Sequence, residues 1–256
     1  MKRKLQSIID SLPALMAIII LIFIWHCLSV KEIVPSYMLP KPKDVLDALI
    51  QDREILFKHA LITLEEAFYG LVIGIIIAFI IATLMDECDF LYKALYPVMV
   101  ITQTIPTIAI APLLVLWMGF GVEPKIALVV ITTFFPIAVG LLDGYKNVDK
   151  DSMNLLRSMG AGKLKIFKHI KLPNALPHFF FGLKVSASYA IVGAVISEWL
   201  GGFEGLGVYM TRVKKAYAFD KMFAVIIVII VISLLLMKLV NVLRKLVMPW
   251  ERNGND

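Results

Sequence analysis

The stretch Asp151-Ser152-Met153-Asn154-Leu155-Leu156-Arg157-Ser158-Met159-Gly160-Ala161-Gly162 continues as Lys163-Leu164-Lys165-Ile166-Phe167-Lys168-His169-Ile170-Lys171-Leu172-Pro173, and it separates two long apolar runs. Its first half predicts a short helix capped by Asp151, with Leu155, Leu156 and Met159 as its apolar residues. Gly160 and Gly162 break that helix. The second half predicts a basic amphipathic helix. Leu164, Phe167, Ile170 and Leu172 are its apolar residues, Lys163, Lys165, Lys168 and Lys171 lie between them, and Pro173 and Pro177 are expected to end it. Exposing Leu155, Leu156, Met159 and Phe167 to water gains nothing. Either this loop, residues 143–178, packs beneath its own bundle, or it is a docking surface for another protein.

The flanking runs, 126–142 and 179–200, are each long enough to cross a membrane, as are 12–30, 64–85, 95–118 and 222–243; a span takes about 20 apolar residues. Composition agrees: 59% of the 256 residues are hydrophobic and 18% charged, with a mean hydropathy of +0.83. A soluble domain of this size cannot cover so much apolar surface. The expectation is an all-α polytopic membrane protein, six transmembrane helices in a single domain over residues 1–256. Collagen, disordered and disulfide-framework classes are excluded; the only cysteines, Cys27 and Cys88, fall at different levels. Met1-Lys2-Arg3-Lys4 resembles the start of a signal sequence, but no small-x-small site follows, so the first segment is read as a retained helix.

Placing both termini in the cytoplasm puts the larger share of Lys and Arg inside, in the 143–178 loop above all, as the positive-inside rule requires. Residues 31–58 then form an outer loop. There Leu39-Pro40-Lys41-Pro42-Lys43 excludes helix, and Val45, Leu46, Leu49 and Ile50 mark a short amphipathic helix lying on the surface. The excess charge of +6 belongs to membrane-facing loops rather than to nucleic-acid binding.

No enzyme chemistry emerges. The chain has no Gly-rich phosphate loop with Lys-Ser/Thr, no His-Glu-x-x-His and no Cys-x-x-Cys, and its four histidines are scattered. Polar residues within the spans favour a pathway instead. Span three carries Gln103, Thr104 and Thr107 with Pro106 and Pro112, prolines that strand backbone carbonyls unless other groups reach them. Span five carries Ser186, Ser188, Tyr189, Gly193, Ser197 and Glu198. Gln103, Thr107, Tyr189 and Glu198 are the candidate pathway residues. Glu198 lies near the end of its span, either lining a cavity or engaged in structural pairing. No Arg or Lys sits deep in a span, and Gly201–Gly207 is expected to be a flexible turn, suited to a gate or equally to any tight loop.

The run Leu155-Leu156-Arg157-Ser158-Met159-Gly160-Ala161-Gly162, closing on Leu172-Pro173-Asn174-Ala175-Leu176-Pro177, resembles the cytoplasmic signature of permease subunits of bacterial ABC importers. Arg157, Gly160 and Leu172-Pro173 match, while Asn154-Leu155-Leu156 replaces the usual Glu-Ala-Ala opening. Leu39-Pro40-Lys41-Pro42, the run 103–107, the run 112–121 and the run 193–202 resemble the sulfonate, taurine, nitrate and thiamine-precursor branch, most closely permeases for pyrimidine precursors of thiamine or for riboflavin. The resemblance implies a type I importer permease in the bacterial inner membrane, itself without catalysis or cofactor. It implies a homodimer with two cytoplasmic ATPase subunits that use ATP and Mg, and an extracytoplasmic solute-binding protein. Leu155, Leu156, Arg157, Met159, Gly160, Ala161, Phe167, Leu172 and Pro173 would couple to the ATPase. The substrate would be a hydroxymethylpyrimidine or formylaminopyrimidine type of molecule, with riboflavin or a sulfonate, taurine or nitrate as alternatives. Different in kind are a secondary transporter acting alone and a scaffold subunit without transport.

Overall fold

The computed structural model describes residues 2–250, with side chains from Leu12 onward. The side chains of Lys2, Arg3 and Lys4 lie outside the described residues. Among the described residues eleven α-helices follow one another and there is no strand. Five helices are long and apolar enough to cross a membrane, and a bent helix pair makes a sixth span by length and composition. The chain divides into two compact units. One combines the residues up to Phe57 with Tyr209–Val228, and the other combines Lys58–Val208 with the residues from Ile229 onward.

In the first unit, α1 (Lys2–Val30) is followed by α2 (Pro42–Gln51). Helix begins at Pro42 itself, because the first helical position needs no backbone donor and favours proline's φ. The Asp44 carboxylate accepts the Lys41 N–H at 3.3 Å. The buried face of α2 is Val45, Ala48 and part of Leu49, packed with Ala224, Phe223 and Trp25. The expected stripe through Leu46 and Ile50 faces outward instead, since both are exposed. Trp25 stacks on Phe223 at 5.7 Å between ring centroids and donates its indole N–H to the Pro40 carbonyl at 2.9 Å.

The second unit is built on α6 (Glu123–Lys146) and α9 (Leu172–Gly201), which pack along their lengths. Gly182 lies so close to the Pro136 carbonyl that a Cβ would collide with it, and Ser186 Oγ donates to Thr133 O at 2.7 Å. The helix preceding this pair, α3 (Arg53–Glu87), has 35 residues, well beyond the expected 64–85. At 1.5 Å per residue it is about 50 Å long, more than a hydrocarbon core requires.

The expected continuous span 95–118 is broken. α4 (Asp89–Thr104) and α5 (Thr107–Met118) meet at 101°. Pro106 forces Ile105 into extended backbone, with φ −80° and ψ 122°. Two carbonyls near the break are taken by local hydroxyls, Thr102 Oγ1 to Met99 O at 2.7 Å and Thr104 Oγ1 to Ile101 O at 2.8 Å.

Between α6 and α9 lie α7 (Lys150–Ser158), α8 (Lys163–Ile166) and a π turn over Phe167–Lys171. The cap of α7 is Asp149, not Asp151: its carboxylate accepts the Ser152 N–H at 2.9 Å and the Ser152 hydroxyl at 2.6 Å. Gly160, at φ +79°, ends the helix as expected. Pro173 and Pro177 do not end the next one. Pro173 sits in the first turn of α9, and the wider turn before it lets the Leu172 N–H bond back to the Phe167 carbonyl. The chain concludes with α10 (Leu206–Lys215) and α11 (Phe219–Val247).

Candidate functional site

The bend between α4 and α5 opens a cavity of about 190 Å³. Thr102 and Gln103 come from the end of α4, Thr107 from the start of α5, Thr132 from α6, and Tyr189 and Gly193 from α9. Ile105, Ile110, Ile131, Val192 and Ile196 supply apolar walls. No lining residue carries a charge. Thr102 and Thr132 spend their protons on backbone carbonyls of their own helices, so toward the cavity they are acceptors. Gln103 and Tyr189 can both donate and accept there. Three of the four candidate pathway residues, Gln103, Thr107 and Tyr189, thus share one cavity.

Glu198 does not join them. It is 1% exposed and belongs to a separate polar cluster. Its Oε1 accepts the Thr63 hydroxyl at 2.7 Å, and its Oε2 accepts the Gly207 N–H at 2.5 Å. Two further bonds fix the same turn: Gly205 N–H to His59 Nδ1 at 2.9 Å and Leu206 N–H to Thr63 Oγ1 at 2.9 Å. Three successive backbone donors at the start of α10 therefore end on side chains from α3 and α9, which satisfies groups a helix N-terminus leaves orphaned. The expected flexible turn is a pinned one. His59 Nδ1 accepts, so that nitrogen carries no proton.

Beside this cluster Lys125 Nζ meets Glu66 Oε1 at 2.5 Å, with 7% and 3% of the side chains exposed. Lys125 is thus a buried base at the end of a span, the third residue of α6, and not one deep within it. Lys125 reads as a loop residue in the sequence, but α6 starts at Glu123 and packs its first turn against α3 through the Glu66 pair. The pair is separated by 59 residues, so local pattern gave no signal for it.

In the 147–172 region, α7 has no buried residue, so it does not pack beneath its own bundle. Leu155, Met159 and Leu164 are 63%, 73% and 79% exposed. Arg157 and Gly160 are exposed, while Leu156 and Ala161 are half-buried. Phe167 packs on Tyr145 at 5.5 Å, and Leu172 and Pro173 are half-buried in α9. The outward apolar surface is therefore Leu155, Met159 and Leu164 rather than the whole candidate set. Hydrogen bonds from the Ser152 hydroxyl and from the Ser152 and Asp151 N–H groups hold Asp149 below the usual carboxylate range.

In the first unit, Asp52 accepts hydrogen bonds from the Tyr209 hydroxyl and from Lys221 Nζ, the latter at 2.8 Å to Oδ2. Burial works against its charged form, but these donors and the Lys221 charge outweigh it, and Asp52 lies below its ordinary value.

A family model described as "Binding-protein-dependent transport system inner membrane component" matches residues 70–253. The chain is 36% identical to a "Probable ABC transporter permease protein" of Haemophilus influenzae, over 88% of this chain and 92% of that one. It is 34% identical to the "Formylaminopyrimidine transport permease protein ThiX" of Halalkalibacterium halodurans, over 98% of this chain and 99% of that one. Among solved structures, one titled "Crystal structure of an amino acid ABC transporter with histidines" superposes with a TM-score of 0.64 at 16% identity, covering 77% of this chain and 96% of that one, a likeness of fold.

Proposed function

The chain belongs to the family of binding-protein-dependent transport system inner membrane components, and from that premise we propose that it forms the import pathway for a neutral, planar pyrimidine of the formylaminopyrimidine type. The cavity at the α4–α5 bend carries this reading. Its amide, phenol and threonine oxygens, set in apolar walls without a charge, suit a heteroaromatic ring with amino and carbonyl edges. A sulfonate would call for a basic group or a set of convergent N–H donors. The name of the Halalkalibacterium relative points to the same class of solute.

In this reading two copies of the chain enclose the pathway in the bacterial inner membrane, with both termini cytoplasmic. Leu155, Met159 and Leu164 dock into a cytoplasmic ATPase, which uses ATP and Mg, and a binding protein delivers solute from outside. The chain itself performs no catalysis. The α7 geometry supports docking: a capped helix with an exposed apolar end, closed by a glycine with space around it.

The test is uptake by vesicles holding this permease with the ATPase and binding protein that co-purify with it. Formylaminopyrimidine, riboflavin and taurine compete for uptake. ATP-dependent uptake of the pyrimidine alone is expected. Preference for taurine overturns the solute assignment, and uptake without any ATPase overturns the importer reading.

A further inference from the structure

A second cavity, of about 330 Å³, lies within the first unit, between the loop that follows α1 and the turn from α10 to α11. Three aromatic rings, Tyr37, Tyr217 and Phe219, and two carboxylates, Asp44 and Asp220, line it, and no basic residue does. The Tyr217 and Phe219 rings meet edge to face at 6.4 Å between centroids. Asp44 accepts the Lys41 N–H, whereas Asp220 is half-buried and has no hydrogen-bond or ion-pair partner among the described residues. Lys221, next in sequence, is committed to Asp52.

Tyr217 stands where a glycine would fold with less strain. Its φ is +57°. Its N–H bonds the Lys214 carbonyl at 3.1 Å and the Ala218 N–H bonds the Val213 carbonyl at 3.0 Å, which closes α10 in the form that most often has glycine at this position. The Tyr217 side chain is 78% exposed. Neither the turn nor burial calls for an aromatic ring there, but the cavity takes one of its walls from it.

Resting on the importer reading, which turns this loop and turn to the outside, we propose that the cavity is a cation cage. It takes the ammonium or guanidinium end of a lysine or arginine side chain of the extracytoplasmic binding protein, and so fixes where that protein docks. Aromatic faces attract a cation, and carboxylates pair with it. A free small cation fits less well. Tyr37, like Tyr217, is mostly exposed, so the cage covers only one end of a guest. A free cation loses its own translational freedom on entering, while a side chain shares that loss with the whole docking protein. Lys41, Lys43, Lys214 and Lys215 flank the cavity in sequence without lining it, so recognition is by contact inside the cage rather than by a long-range field.

The test titrates the binding protein that co-purifies with this transporter onto the permease–ATPase complex in lipid nanodiscs. Tyr217→Gly and Asp220→Asn are each expected to weaken binding about two- to tenfold. Neither should lower the unfolding midpoint, since one relieves backbone strain and the other breaks no bond within the chain. Tyr217→Phe keeps the ring and should bind as wild type does. Tetramethylammonium chloride, whose cation suits an aromatic cage, should weaken wild-type binding more than sodium chloride at equal ionic strength, and Tyr217→Gly should abolish that difference. If one variant does not fold, the other carries the comparison. Wild-type affinity in both variants, or equal effects of the two salts on wild type, overturns the cage and leaves the importer reading standing. Variant effects that vanish when choline lipids are replaced by phosphatidylglycerol assign the cavity to a lipid headgroup and also overturn it. A binding protein that does not associate with the wild-type complex at all overturns the importer reading, and the cage with it.

Discussion

Thr63 and Glu198 lie 135 residues apart and share a hydrogen bond of 2.7 Å. The same hydroxyl oxygen accepts the Leu206 N–H, so one small side chain on α3 joins α9 to the start of α10. Thr63→Val keeps the shape and removes both bonds, leaving a buried donor without a partner. A loss of about 1–3 kcal/mol is expected, read as a lowered unfolding midpoint in detergent. Thr63→Ser retains the hydroxyl and should restore most of it. Equal midpoints for wild type and the valine variant would show that the turn holds without this bond.

Gln103 separates pathway from scaffold. Were it the group that satisfies carbonyls stranded near the prolines, its loss would lower stability. Thr102 and Thr104 already bond the carbonyls of Met99 and Ile101 at that helix end. Gln103→Leu should therefore leave the melting temperature unchanged while reducing uptake at limiting substrate. Removing one aligned amide is worth about 1–3 kcal/mol, a five- to hundredfold effect on the affected step. Unchanged uptake with a lowered midpoint would return Gln103 to a structural role.

Gly160 closes α7 at φ +79°, and a Cβ built there meets nothing within 4 Å. Any penalty from a side chain within this chain is thus backbone strain alone, about 1–2 kcal/mol and least for Asn. Gly160→Asn and Gly160→Asp should both insert and fold. If the open space is where the ATPase backbone approaches, both lose ATPase co-purification, the Asp variant more completely. Normal association and solute-stimulated ATP hydrolysis in both would remove Gly160 from the interface.

The spans were legible because apolar runs of membrane length announce themselves without tertiary information. What the sequence hid are the places where a local rule has two outcomes. Proline stops a helix from within but starts one at its first turn, so Pro173 opens α9 where termination was expected, and Pro42 opens α2. In α4–α5 Pro106 breaks the helix outright, and that break creates the cavity. Gln103, Thr107 and Tyr189 could be picked out as polar groups in apolar helices. The same rule points to Glu198, yet its partners are the backbone of its own following turn and a threonine on α3. The Glu66–Lys125 pair was invisible, since only packing brings α3 and the start of α6 together.

Asp52 receives the Tyr209 hydroxyl and Lys221 Nζ, and its carboxyl lies below the ordinary range despite the burial that opposes its charge. Burial first, and then Asp52 itself, push the Tyr209 phenol upward, so that hydroxyl remains a donor throughout the working range. A carboxyl with a depressed folded value adds stability above its unfolded value and loses it as pH falls through the folded one. The unfolded value is about 3.9. Asp52→Asn keeps the size and removes the charge, so at neutral pH it should be less stable than wild type by about 1.5–3 kcal/mol, the range for a hydrogen bond to a charged group. That gap should hold down to about pH 4 and then shrink, because wild-type Asp52 becomes neutral as well. Lys221→Met should show a reduced gap to its own Asp52→Asn double variant at neutral pH, since part of the depression comes from the Lys221 bond and charge. Unfolding midpoints of the four proteins across this pH range decide it. A gap that stays constant into strong acid would mean that Asp52 acts through shape and not through its charge.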